Sequence, residues 1–185
     1  SSIVLGAAVA LGLAACGSTP PPRPTAPPVP LVSTAKMAEA NLSSASASLV
    51  SGRLALVPDA QGVHITGVIG GLQPLQTAAF HVHERGDCSA VDASSAGGHF
   101  NPGAQPHGRN SAGAHHAGDM DNLRADAQGR ANVDVRLPAV TLGGGAATDI
   151  AGRALVVHAN ADDYRSQPAG NAGARIACGV IRVTR

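Results

Sequence analysis

Between residues 131 and 137, in "ANVDVRL", apolar and polar positions alternate without a break. Val133, Val135 and Leu137 share one face, and Asn132, Asp134 and Arg136 the other. This period of two predicts a β-strand with one buried side. The runs "GRLALV" (52–57) and "VHITGVIGGL" (63–72) have the same character, and further strands are predicted over Thr77 to Glu84, Ala154 to His158 and Arg175 to Val183. "DAQG" stands at 59–62 and again at 126–129, where Asp and Gly provide turn chemistry and a hairpin is expected each time. A helical period with capping signals is sustained nowhere. The pattern therefore implies an all-β domain of roughly eight short strands, an antiparallel barrel or sandwich. Two glycine-rich interruptions, 85–120 and 159–174, are expected to be long functional loops.

Composition narrows this reading. Aromatic residues make up only 2% of the 185, so a core must be built from Val, Leu, Ile and Ala, which suit a pleated surface. Thirteen basic residues against 12 acidic ones give a formal charge of +1 without any basic run, which argues against a nucleic-acid partner.

The first 33 residues differ from the rest. Residues 1–15 carry no charge, and the apolar or small stretch from Ile3 to Ala15 is shorter than the ~20 residues that span a bilayer as a helix. It reads as the apolar part of a secretory signal, and because the basic stretch usual before such a segment is missing, the true start of the precursor is expected upstream of Ser1. Its end, "LAAC", resembles a bacterial lipobox, with Cys16 as the lipidated residue; an ordinary signal with an incidental cysteine is the alternative. Residues 16–33 follow as a proline-rich linker. Seven of the chain's 13 prolines lie between Pro20 and Pro30, a composition that favours an extended spacer. The expected arrangement is a domain over residues 34–185, held to a membrane through Cys16 at the bacterial cell envelope, in the periplasm or at the cell surface.

Six of the eight histidines, His81, His83, His99, His107, His116 and His158, sit in or beside the two long loops. Residues two apart in a strand face the same way, so His81 and His83 project together while Phe80 and Val82 point into the core. Paired imidazoles suit copper or zinc. His99, His107, His116 and Asp119 form a second set, three imidazoles and a carboxylate, of the kind that closes a tetrahedral zinc site and orders a flexible loop. By composition alone His115 competes with His116 for that role, whereas His64 is expected to face solvent on a strand.

Taken together, "FHVHERGDCS", "SAGGHFNP", the following "HG", "HAGDMDNL", "GRALVVHANADD" and "GNAGARIACGVI" resemble the copper/zinc superoxide dismutase family, in order and spacing, over about residues 36 to 183. The resemblance implies an eight-stranded antiparallel Greek-key barrel and one copper and one zinc ion per subunit. It implies His81, His83, His99 and His158 as copper ligands, and His99, His107, His116 and Asp119 as zinc ligands, with His99 shared and His116 chosen over His115. Asp162 would link His81 to His107, Arg175 would stand beside the copper as a catalytic cation, and Cys88 would pair with Cys178. The implied substrate is superoxide, and the subunit is a homodimer or a monomer.

Eukaryotic members of the family carry lysines in the second loop, whereas Arg165 is the only cation between His158 and Arg175 here, and Pro168 and Ala169 replace polar residues. Guidance of the substrate would then fall to arginines such as Arg85 or Arg109. A copper- and zinc-binding envelope protein of the same fold, without turnover, is the competing reading; it has no need of Arg175.

Overall fold

A computed structural model describes residues 32–185. The signal-type segment, Cys16 and nearly all of the proline-rich linker lie outside the described residues. Within them are nine strands: β1 (Ala38–Ser44), β2 (Ser51–Asp59), β3 (Gly62–Gly70), β4 (Thr77–Ala78), β5 (Phe80–His83), β6 (Leu123–Arg124), β7 (Ala131–Pro138), β8 (Ala154–His158) and β9 (Arg175–Val183). The only helical element among them is a 3-10 turn at Ser94–Ala96.

Seven strands form one antiparallel sheet in the order β5-β8-β9-β1-β2-β3-β7, and β4 pairs with β6 in a short ribbon. The sheet curls around one core in which Leu54 and Leu56 of β2, Ile65 and Ile69 of β3, Phe80 of β5, Leu137 of β7, Leu155 of β8 and Ile181 of β9 are fully buried. On β7 the alternation is observed as expected, with Val133 and Leu137 buried and Asn132, Asp134 and Arg136 exposed. The all-β antiparallel class stands, while the strand count is nine rather than eight. The extra strand arises because the predicted run from Thr77 is interrupted at Ala79: β4 pairs with β6, and β5 with β8.

The first "DAQG" is a hairpin turn. Gln61 N–H donates to Asp59 Oδ1 at 2.8 Å, and β2 pairs with β3 from Asp59 and Gly62 onward. The second is a turn of the same chemistry, with Asp126 Oδ1 accepting from the N–H groups of Gln128 and Arg130. It is not a hairpin between paired strands, because β6 bonds to β4 and β7 to β3. A third long connection, 139–153, crosses from β7 to β8 and is gathered around Asp149, whose carboxylate accepts from Gly143, Gly145 and Ala151 N–H.

Every residue of β5 and β8 is buried. Phe80, Val82, Leu155 and Val157 face the main core. On the other side of β8, Ala154, Val156 and Cys178 pack with Ala45, Ala93 and Ala96 in a second small cluster, against which Cys88 also lies. The Cys88–Cys178 disulfide is formed, with Cα atoms 5.7 Å apart, and tethers the loop after β5 to β9. The outer side of these strands is thus a floor under two loops.

Candidate metal centre

Strand period puts His81 and His83 on the outer side of β5, but the loops cover them, so both rings are buried instead of solvent-facing. Backbone bridges fix what lies opposite: His81 pairs with Asp119 and His83 with His99. His158 ends β8 where the register with β9 shifts, opposite Arg175. The fold therefore brings residues from 81 to 158 onto one patch. His81, His83, His99 and His158 form one donor group, and His99, His107, His116 and Asp119 a second, each with its donor atoms within 4.8 Å of one another. His99 belongs to both.

Within the first group His83 Nε2 and His158 Nε2 lie 3.3 Å apart, and the His81 and His99 ring centroids are separated by 4.0 Å. Within the second, His99 Nδ1 is 2.8 Å from Asp119 Oδ1 and 3.3 Å from His116 Nδ1, and His107 Nδ1 is 3.0 Å from Asp119 Oδ2. Among the described residues, His81 Nδ1 and His99 Nε2 are buried without a hydrogen-bond partner, and His107 Nδ1, although 3.0 Å from Asp119 Oδ2, makes no well-aligned hydrogen bond. A buried ring nitrogen normally has one, because its desolvation is otherwise unrepaid. Three such nitrogens converging with other imidazole nitrogens suit cations: four nitrogens for copper, three nitrogens and an oxygen for zinc.

Asp162 holds the other nitrogens of two of these rings. Its Oδ2 lies 2.8 Å from His81 Nε2 and its Oδ1 2.9 Å from His107 Nε2, leaving the Nδ1 atoms of both for a metal. Burial, together with the neighbouring imidazoles, pushes His83 down to about 2, His158 to about 3 and His99 to about 4, so these rings are neutral and ready to ligate. Burial also works to lower His107, but Asp119 and Asp162 outweigh it and hold His107 up at about 9. Despite their own burial, both carboxylates are kept well below the usual range by these histidines.

Arg175 donates from Nη1 to Ala93 O (2.7 Å) and from Nη2 to Gly97 O (2.6 Å), bonds that aim its half-buried guanidinium along the loop tethered by Cys88. It lines a cavity of about 320 Å³ with His83, His99, His158, Pro168 and Ala169. His115 lies outside both groups, bonded through Nδ1 to His116 O, and half-buried His64 contacts Asp134 on the outer face of the sheet. Both arginines expected to guide substrate have an acidic neighbour. Arg109 forms a two-bonded pair with Asp121 and lies over the Tyr164 ring, and Arg85 sits 3.8 Å from Glu84.

The sequence reading passed over Asn122, Tyr164 and Gln167. Asn122 exchanges two hydrogen bonds with the backbone of Asp162, the Tyr164 hydroxyl accepts from Asn122 N–H, and Gln167 bonds to the backbone of His107. These partners are 40 to 60 residues apart in sequence, so no local spacing announces them.

A family model described as copper/zinc superoxide dismutase (SODC) matches residues 50–181. Superoxide dismutase (Cu-Zn) 2 of Aquifex aeolicus is 47% identical over 136 residues, spanning 72% of this chain and 80% of that protein. Superoxide dismutase-like protein YojM of Bacillus subtilis is 36% identical over 178 residues, spanning 93% and 91%. Among solved structures, a SOD-like protein from Bacillus subtilis superposes with a TM-score of 0.70 at 36% identity, covering 76% of this chain and 95% of that one. The clock protein EA4 gives 0.72 at 37%, covering 82% and 97%. The chain belongs to the copper/zinc superoxide dismutase family, and its two donor groups suit one copper and one zinc ion.

Proposed function

We propose that the protein is a superoxide dismutase, turning two superoxide anions and two protons into oxygen and hydrogen peroxide. The observation that carries this is the sharing of His99 between two donor groups beside an arginine-lined cavity. His81, His83, His99 and His158 would hold copper, and His99, His107, His116 and Asp119 zinc. Copper supplies one-electron chemistry when bound, and zinc, which is redox-inert, supplies charge and geometry. The neutral imidazoles of His83, His99 and His158 bind without having to shed protons. Arg175 attracts and orients the anion with a guanidinium already fixed by two carbonyls. His99 Nε2, which no hydrogen bond occupies among the described residues, would donate to copper and, whenever free of it, hold a proton for the peroxide product. Asp162 keeps the His81 and His107 rings from turning.

The test is superoxide decay followed by stopped flow on protein loaded with both metals. Turnover well above free-copper controls is expected. His158→Ala should lose copper and activity while keeping zinc, and Arg175→Ala should keep both metals and slow the reaction. A loaded wild-type protein without turnover would instead favour a metal-buffering role.

Residues 1–33 extend the proposal to place: export, a lipid on Cys16 and a proline-rich spacer at the bacterial envelope. Labelled palmitate should enter the precursor expressed in bacteria and be lost in Cys16→Ser; retention of label in that variant refutes the anchor.

A further inference from the structure

We propose that Gln167 is a positioning residue for His107, a clasp thrown from the second loop onto a zinc ligand of the first; the proposal rests on the zinc reading above. Gln167 Oε1 accepts from His107 N–H at 2.8 Å, and its Nε2 donates to His107 C=O at 2.9 Å. Both backbone groups of His107 thus end on one side-chain amide, and among the described residues neither has a backbone partner. No other zinc-set residue is held this way. His99 lies opposite β5 in a backbone bridge, and His116 and Asp119 hold each other, through His116 N–H to Asp119 Oδ2 and Asp119 N–H to His116 O. His107 comes from "NPGAQPHGRN", where no strand supports it and Gly103 to Pro106 are exposed. Its ring is fixed by Asp119 and Asp162, while its backbone is fixed by Gln167.

A ligand whose main chain drifts must be re-ordered each time the metal binds, and the entropy of that ordering subtracts from affinity. The clasp removes this cost before zinc arrives. It also ties the cavity to the zinc set, because the next two residues, Pro168 and Ala169, line the cavity beside His83 and Arg175.

The decisive measurement is zinc release from the fully loaded protein to a chromogenic chelator, with copper retention followed in the same samples and the melting temperature of the metal-free protein recorded. In Gln167→Ala, zinc release should rise about 10- to 100-fold, the range found when a partner that orients a metal ligand is removed, with copper retention unchanged. Gln167→Glu keeps the acceptor for His107 N–H but cannot donate to His107 C=O, so its release rate should fall between the two. Ser166→Ala serves as the comparison. Ser166 bonds Asp163 and Asn171 in the same loop without touching His107, so it loosens the loop alone and should release zinc as the wild type does. Zinc release from Gln167→Ala at the wild-type rate overturns the proposal, as does an equal rise in Ser166→Ala, which would reduce the effect to general loop loosening. A wild-type protein that takes up no zinc overturns the zinc reading, and the clasp with it.

Discussion

At the scale of single residues, the imidazole ligands are not all in one state of protonation before any metal arrives. His83, His99 and His158, pushed down to about 2, about 4 and about 3, are neutral at pH 7.5; His107, held up at about 9, carries a proton between two carboxylates. Zinc loaded alone at that pH should therefore release about one proton from His107, whereas copper loaded alone should release close to none from His83, His99 and His158. Calorimetry in buffers of different ionisation enthalpy measures the count, and equal release by the two metals would contradict it. The sign for stability follows from the same shifts. The raised His107 stabilises the metal-free fold fully below about 6.5 and ceases to do so as pH rises through about 9. The depressed histidines act the other way: their contribution is complete above about 6.5 and is lost as pH falls through about 4 and on toward 2. The identities of these residues were legible from their spacing and their resemblance to a family. Their burial was not, since His81 and His83 look solvent-facing until two long loops, one of them starting just after β5, fold over that strand.

At the scale of elements, the second loop is shaped around one carboxylate. Gly170 has a φ of +65°, and a Cβ there would collide with Asp162 Oδ1 and lie 2.7 Å from His107 Nε2. Gly170→Ala should therefore destabilise the metal-free protein by about 1–3 kcal/mol and weaken zinc retention. Gly113→Ala, also at positive φ (+73°) but with open space around it, should cost only the backbone strain, about 1 kcal/mol, and leave zinc in place. Thermal melts with and without zinc distinguish the two; equal losses in both would remove the special role of Gly170. The strands were legible where alternation is strong, as on β7, and turn chemistry located both Asp-Ala-Gln-Gly corners. Strand β1 was not singled out, because "AEANLSS" offers mainly alanine to its buried side, with Ala38, Ala40 and Leu42 inward. Its identity comes from its neighbours β9 and β2, which no local window contains.

At the scale of the whole molecule, long-range attraction of an anion is weak. The formal charge is +1, Arg109 is neutralised by Asp121, Arg85 stands beside Glu84, and among the described residues Arg175 is the only arginine or lysine lining the metal cavity. The rate constant for superoxide should therefore fall less than about twofold between about 10 and about 150 mM salt, where a strongly steered enzyme loses far more. Stopped-flow traces at a series of ionic strengths give the slope, and a steep decline would show that guiding charges exist elsewhere. The disulfide acts on the same scale, closing a loop of 90 residues, worth about 4–5 kcal/mol by chain entropy alone. Of the described strands, β9 is the one a ribosome makes last, and Cys178 lies within it. Until then Cys88 has no native mate, so its accessible thiol marks a molecule still being made. With Cys16 replaced by serine, a brief pulse of alkylating reagent would sort chains that still lack the bond from those that have closed it, and would do so before either ion had been acquired.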